Sequence, residues 1–327
     1  CFVYAHVPYR IASYRQILTN PKDTIAFDHT ADLAIRKNIS KLGADGALLA
    51  DAGDSIHKVN LAEKLLAMLL AKLSNFVPGG GIWMNTQRPE WNDANNALVG
   101  NGLSMVTLYY LRRFLLFAEP LFVQKGNADI PLSSELQVFF AEVASIFEKY
   151  AAVLPEGPDS RQKKKMLDEL GEAASLFRET IYTKRFSGTK TSVSAGDIAS
   201  LFRNAILLCD YSIRANARPD GLYHTYNLLS YTDTELSVSH LDEMLEGQVA
   251  VLSSGYLSPA ESLRLLDALR QSSLYRADQE SYILYPNKSL PRFLEKNNVP
   301  ADAVQSIPLL RQLLAEGDNW IIEKDIA

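Results

Sequence analysis

The sequence lacks the features that mark several classes of protein. Only two of its 327 residues are cysteine, and neither Cys1 nor Cys209 lies in a spacing that suits zinc, so a disulfide scaffold and a cysteine-ligated metal site are excluded. The longest strongly apolar stretch, residues 65–71, is far shorter than the ~20 residues of a membrane-spanning helix. The 38 acidic residues outnumber the 33 basic ones, which argues against a nucleic acid or an anionic membrane as the main partner.

The pattern that is present is helical. Hydrophobic residues make up 47% and charged residues 22% of the chain, which is the mix of a globular protein. Serine caps mark two helix starts, at Ser194 and Ser258. Strand signal is confined to residues 2–5, 281–285 and 320–322, so we predict an all-α fold. Apolar residues recur three and four apart, which predicts helices over 28–42, 58–76, 98–117, 132–152, 160–182, 196–215, 241–254, 258–273 and 303–315.

The helices follow one another without an obvious domain boundary. No long linker rich in proline, glycine or serine divides the chain, so we expect residues 1–327 to form one helical domain. Such a run of helices suits either an open helical array or a closed ring of helical hairpins. The chain begins at Cys1 rather than at Met and shows no signal-peptide pattern. We therefore expect it to be part of a longer protein, located in the cytoplasm.

A long polar and aromatic connection, residues 79–96, interrupts the helical pattern, and connections of this kind are often functional. Tryptophans can stack on the apolar face of a sugar ring, while amides, carboxylates and arginine can bind its hydroxyl groups. The alternative is structural: Trp83 and Trp91 fill the core, and the asparagines cap the next helix. The predicted substrate-binding residues in this connection are Trp83, Arg88, Glu90, Trp91, Asn92 and Asn96.

Part of this connection resembles a known motif. The run Glu90-Trp91-Asn92-Asp93-Ala94-Asn95-Asn96 resembles the Asp-Trp-Asn-Asp-Gly-Met-Asn segment of the glycoside phosphorylases that cleave cellobiose and related β-glucosides. The resemblance implies membership of the six-hairpin glycosidase superfamily, and hence an (α/α)6 toroid of helical hairpins that this chain contains in part. In that family the second aspartate is the general acid, and Asp93 matches it. Glutamate replaces the first aspartate, and Ala94-Asn95 replaces Gly-Met.

The chemistry of glycosidic cleavage gives two carboxylates their expected roles. A protonated carboxylic acid, here Asp93, delivers a proton to the leaving oxygen; the alternative for Asp93 is a helix cap. Hydrolysis also needs a second carboxylate that activates water. Glu246 is the leading candidate because it lies beside Gly247 in an otherwise apolar helix. Glu235 and Glu243 are alternatives, and a purely structural role for Glu246 stays open.

A second polar and aromatic cluster contains Tyr223 and His224, which we predict to bind sugar hydroxyls or phosphate; a structural role is the alternative for the histidine. The sequence has no His-Glu-x-x-His spacing and no Gly-x-Gly-x-x-Gly after a strand. We therefore expect neither a catalytic metal nor a cofactor.

The leading hypothesis is a carbohydrate-active enzyme that cleaves a glycosidic bond with inversion, using Asp93 as general acid. Hydrolysis is the first choice for the reaction and phosphorolysis the second, with an oligosaccharide or glycoside as substrate. The competing hypothesis is a helical module that binds a glycan or a protein without catalysis. We expect no nucleic-acid or membrane partner, and the sequence does not indicate the sugar, the linkage or the oligomeric state.

Overall fold

A computed structural model describes residues 1–85, 98, 100–317 and 319–324, apart from the side chain of Leu294. Contacts divide the chain into two compact units, residues 1–286 and 287–327, and each is described by itself. A single domain over residues 1–327 stays a prediction. Within the described ranges, no helix has both the length and the apolar character that a membrane span requires.

The first unit contains most of the helices that the apolar spacing predicts. The helix expected over 98–117 begins at Met105, the one expected over 241–254 begins at Leu245, and α1 is additional. Two predicted caps are confirmed: Ser258 forms a capping box with Glu261, and the Ser194 hydroxyl accepts a hydrogen bond from the N–H of Asp197 at 3.0 Å. The described helices are α1 (Tyr14–Thr19), α2 (His29–Leu42), α3 (Leu61–Leu73), α4 (Met105–Val123), α5 (Ser134–Ala151), α6 (Ser160–Lys184), α7 (Ala195–Ala215), α8 (Leu245–Ser253) and α9 (Pro259–Gln271), with a 3-10 helix at Gly43–Ala47.

The first unit also contains a central antiparallel sheet, so the prediction of an all-α fold, and with it the (α/α)6 toroid, is wrong. Of the residues that the structure describes, about 52% are helical and 16% lie in strands, and the sheet is curled. Its strand order is β11 (Leu236–His240), β10 (Tyr226–Tyr231), β7 (Gly102–Ser104), β6 (Gly81–Trp83) and β5 (Phe76–Val77). Four two-stranded sheets join β1 (Phe2–Val3) to β4 (Lys58–Val59), β2 (Tyr9–Ile11) to β3 (Ile25–Phe27), β8 (Asp129–Ser133) to β9 (Lys190–Ser194), and β12 (Tyr275–Arg276) to β13 (Ser281–Tyr282).

The central strands are hard to recognise because they are short and largely buried. β5, β6 and β7 contain two or three residues each and are buried on both faces, so they lack the alternation of apolar and polar residues that marks a half-buried strand. β7 lies inside the predicted helix 98–117, where its backbone pairs with β6 and β10 instead. Pairing between distant segments therefore overrides the local helical spacing.

The core joins this sheet to the surrounding helices. α4 packs against α7 and α8, and α5 packs against α6 and α7. Tyr109, Phe147 and Phe202 are buried in this main cluster, and burial of such a side chain contributes roughly 1.5–3 kcal/mol. A smaller cluster attaches the sheet to α1 through Trp83 and Tyr14. The sheet is thus held from several sides by helices.

The second unit is small, and its described elements are α10 (Phe293–Lys296), α11 (Ala301–Ser306) and α12 (Pro308–Glu316). The single helix predicted over 303–315 is divided before Pro308. Proline lacks an N–H group and disfavours a helical conformation at the residue before it. Accordingly, Ile307 is extended, with φ −104° and ψ 107°. Residues 320–322, predicted as a strand, do not form one.

A buried ionic group ties α3 to the β8–β9 hairpin. Glu63 is fully buried; its carboxylate accepts hydrogen bonds from the Ser133 N–H at 3.1 Å and from the Ser133 hydroxyl, and it pairs with Lys190 at 3.0 Å. The Nε2 atom of His57 lies 2.9 Å from the same Ser133 hydroxyl oxygen. Because a buried carboxylate is costly unless it is paired, the stability of this region depends on the complete group.

We expect Glu63→Gln to lower the free energy of unfolding by about 2 kcal/mol, because Lys190 and the Ser133 amide lose a charged acceptor. Urea unfolding followed by circular dichroism measures this change. Glu172→Gln is the matched control, since Glu172 pairs with Arg15 at 3.4 Å on the surface, where a pair contributes less than about 1 kcal/mol. Equal effects of the two substitutions would contradict the role given to Glu63.

Candidate functional site

Hydrogen bonds at the ends of β6 and β7 fix both sides of the polar and aromatic connection that the sequence indicates. The Met84 N–H donates to the Gly102 carbonyl at 2.8 Å, and the Gly100 N–H donates to the Met84 carbonyl at 3.0 Å. The indole N–H of Trp83 donates to the Gly100 carbonyl at 2.7 Å. Asn85 donates to the Asn75 side chain at 2.6 Å. Residues 84–85 and 100–102 are therefore fixed to the sheet.

Of the substrate-binding residues predicted in this connection, Trp83 lies within the described part of the chain. Its side chain belongs to the core. It is 3% exposed, its N–H is satisfied by the backbone, and its ring lies edge-on to Tyr231 at 6.1 Å. This geometry favours the structural alternative for Trp83. The other predicted residues of the connection, Arg88, Glu90, Trp91, Asn92, Asp93 and Asn96, lie outside the described residues.

Two buried asparagines form a hydrogen-bond network that supports the central sheet. The Asn227 amide donates to the Gly80 carbonyl and to the Asn216 Oδ1 atom, both at 2.8 Å. The Asn216 amide in turn donates to the carbonyls of Gly79 and Ser212, also at 2.8 Å. Both asparagines are fully buried. The network therefore joins the β5–β6 turn, the end of α7 and strand β10.

His224 stacks on His240 at the end of the β10–β11 hairpin. The ring centroids are 4.0 Å apart and the planes are 9° from parallel. The Nδ1 atom of His224 lies 3.3 Å from the Leu241 carbonyl, and that of His240 lies 2.7 Å from the Asn227 Oδ1 atom. Because both partners are acceptors, each Nδ1 carries the proton and each Nε2 presents a lone pair.

Burial keeps both rings neutral. Burial, His240 and Arg218 together lower the pKa of His224 to about 4. The pKa of His240 is also lowered, by burial and by Arg218. Arg218 itself is paired with Asp220 at 2.7 Å and with Glu243 at 3.2 Å. The two histidines are thus suited to accept hydrogen bonds from hydroxyl groups near neutral pH.

Glu246, the candidate base, lies in the first turn of α8 and accepts a hydrogen bond from the Tyr226 hydroxyl at 2.9 Å. Burial and the nearby Glu246 raise the pKa of Tyr226, so the tyrosine stays a proton donor. Tyr226 shares a buried cluster with Leu98 and Met244. The hydrogen-bond partner of Glu246 thus packs in the same cluster as Leu98.

The start of α8 is held against the segment just before strand β10 by two further contacts. Gln248 is fully buried and bonds the Tyr223 backbone twice, accepting from its N–H at 2.9 Å and donating to its carbonyl at 2.7 Å. A Cβ atom at Gly247 would lie 2.1 Å from the Thr225 hydroxyl oxygen, so only glycine allows this approach. The contacts of Gly247 and Gln248, the two residues that follow Glu246, therefore fix the position of Glu246.

The alternative base candidates are engaged elsewhere. Glu235 pairs with Arg161 at 3.2 Å on the surface. Glu243 pairs with Arg218 and accepts a hydrogen bond from the Ser273 hydroxyl at 2.6 Å. Both carboxylates are thus paired with an arginine. The sequence alone does not indicate Tyr226 as the partner of Glu246, because nothing local relates two residues twenty positions apart on a strand and a helix.

The described residues do not contain a cluster of three or more histidine, cysteine, aspartate or glutamate side chains that could hold a metal ion. The chemistry that the arrangement offers is hydrogen bonding: a half-buried carboxylate, a tyrosine hydroxyl and two neutral imidazoles. Such groups bind and orient the hydroxyls of a sugar.

Comparison with known proteins relates the chain to glycoside phosphorylases. A family model described as GH149 phosphorylase insertion domain 2 matches residues 290–327, which lie within the second compact unit. No curated protein matches the chain. The match points to a glycoside-active enzyme. It does not support the six-hairpin superfamily that the resemblance implied.

We expect acid to weaken the fold through His224. In the folded state the His224 ring stays neutral until the pH falls to its pKa of about 4. In the unfolded chain the ring takes up a proton near pH 6.5. The free energy of unfolding therefore decreases as the pH falls from 6.5 to about 4. In His224→Asn, the drop in Tm over this range should be smaller than in the wild type, as measured by calorimetry. His29→Asn, at an exposed position, is the control and should keep the wild-type pH dependence. An unchanged profile in His224→Asn would refute this role.

Proposed function

We propose that this chain belongs to a glycoside phosphorylase, which transfers a glycosyl group from an oligosaccharide to inorganic phosphate. The observation that carries the proposal is the match of residues 290–327 to a phosphorylase insertion domain. The resemblance of residues 90–96 to the acid-bearing segment of glycoside phosphorylases supports it, because the two segments lie far apart in the sequence and point to the same class. Phosphorolysis therefore replaces hydrolysis as the preferred reaction.

In the proposed reaction, the bond between the anomeric carbon and the glycosidic oxygen breaks. An oxygen of hydrogen phosphate attacks the anomeric carbon from the opposite face, and the leaving oxygen takes a proton from a general acid. We assign this acid to Asp93. The products are an inverted sugar 1-phosphate and a shortened saccharide, and the proton released from the phosphate restores the acid.

Glu246 has a different role in this reaction from the one expected for hydrolysis. Phosphate is itself the nucleophile, so no second carboxylate has to activate water. With Oε2 held by Tyr226 at 2.9 Å, the carboxylate is placed to accept a hydrogen bond from a sugar hydroxyl through Oε1. His224 and His240 offer two further acceptors through their Nε2 atoms. We propose these three side chains as substrate-orienting groups.

An oligosaccharide panel with and without inorganic phosphate tests the proposal. Sugar 1-phosphate, detected by phosphorus NMR, should form only when phosphate is present. Release of reducing sugar without phosphate would make the protein a hydrolase. Binding without release in either condition would support the non-catalytic module, and both outcomes would overturn the phosphorylase assignment.

The acid role of Asp93 predicts the behaviour of Asp93→Asn. Loss of a general acid should slow cleavage of an unactivated saccharide by about 10²–10⁴-fold. The loss should be much smaller for an aryl glycoside whose leaving group needs no proton. Asparagine caps a helix about as well as aspartate does, so a capping role predicts little change. Steady-state rates on the two substrates distinguish these cases, with Tm as the check on folding.

Glu246→Gln is the comparison variant, because its amide oxygen can still accept the Tyr226 hydrogen bond. In a phosphorylase, this variant should keep phosphorolysis within about ten-fold of the wild type, the effect of weakening one hydrogen bond to substrate. A loss as large as that of Asp93→Asn would instead identify Glu246 as an essential base.

A further inference from the structure

A groove separate from the residues discussed above runs between α5 and α6. It encloses about 320 Å³, which is at the lower end of the range for ligand pockets. α5 contributes residues 134–142 to the lining and α6 contributes residues 173–180. Because a helix rises 1.5 Å per residue, these segments span roughly 10 Å. The groove therefore matches a small molecule better than a docked helix.

The wall of the groove is apolar and partly aromatic. Phe139 and Phe177 stack at 4.9 Å with their planes 10° apart. Val138 and Leu176 line the groove and are 54% and 60% exposed. A ligand with an apolar body would remove the exposed surface of Val138 and Leu176 from water.

One carboxylate oxygen beside the groove has no hydrogen-bond partner. Oε1 of Glu135 accepts a hydrogen bond from the Ser187 N–H at 2.8 Å, but Oε2 is buried and has no hydrogen-bond partner. Such an oxygen is costly unless a donor reaches it. Glu135 itself lines the groove, so a cation held there lies beside this carboxylate. A second acid, Glu142, also lines the groove, and no lysine, arginine or histidine does.

We propose that this groove binds a small organic cation, with its ammonium group beside Glu135 and its apolar body along Val138, Leu176 and Phe177. The ammonium pairs with the negative charge of the Glu135 carboxylate, and the body covers Val138 and Leu176. Charge and shape thus select the same ligand class. The proposal does not depend on the glycosyl-transfer reaction, because the groove shares no residue with the proposed catalytic and substrate-orienting groups.

Phenylbutylamine is a suitable probe, with phenylbutanol and phenylbutyrate as its neutral and anionic counterparts. Titration of the full chain by calorimetry and NMR should show saturable binding of the amine, with shift changes at Val138 and Leu176. The amine should bind about ten-fold more tightly than the alcohol, as expected for one charge-assisted hydrogen bond, and the acid should not bind. Equal affinity for all three compounds would overturn the proposal.

Glu135→Gln supplies the decisive variant, because it retains an oxygen for the Ser187 N–H while removing the charge. It should weaken amine binding about ten-fold and leave alcohol binding unchanged. Glu142→Gln is the matched control on the same helix and should change affinity less, because Glu142 is exposed. If Glu135→Gln binds the amine as the wild type does while Tm is preserved, the ammonium does not lie at Glu135.

Discussion

The hydrogen bonds between Asn216 and Asn227 are the contacts on which the arrangement of the first unit depends most. Each amide is fully buried, and together they satisfy the carbonyls of Gly79 and Gly80 in the turn before β6. Buried polar groups of this kind stabilise a fold only when all of them are paired. Losing either asparagine would leave several acceptors without donors at the junction of α7, β6 and β10. The network therefore selects one arrangement of the sheet over alternative packings of the same apolar residues.

This constraint extends from the sheet to the proposed site. Once β6 and β7 are fixed, the hydrogen bonds of Met84 and Gly100 fix the points at which the connection between them leaves and rejoins the sheet. Strand β10 carries Tyr226, whose hydroxyl orients Glu246 on α8. Asn227 belongs to the same strand and holds the His240 ring by its Nδ1 atom. One strand thus links the buried network, the carboxylate and the histidine pair.

The sequence predicts the helices well and the sheet poorly, for physical reasons. A helix such as α7 repeats its apolar spacing over many turns, and Ser194 marks its start, so both signals are local. β6 has three residues, and what makes it a strand is pairing with Phe76 and Ser104, which no local pattern encodes. The same limit applies to the site. Glu246 could be proposed from its apolar surroundings, but its contact with Tyr226 depends on the tertiary fold.

Two indications of phosphorylase chemistry come from different parts of the chain, and their independence matters more than the strength of either. The resemblance covers the seven residues 90–96, and the family match covers residues 290–327, within the second compact unit. Because neither segment overlaps the other, a chance origin would require two coincidences that name the same reaction class. We therefore propose phosphorolysis rather than hydrolysis as the reaction.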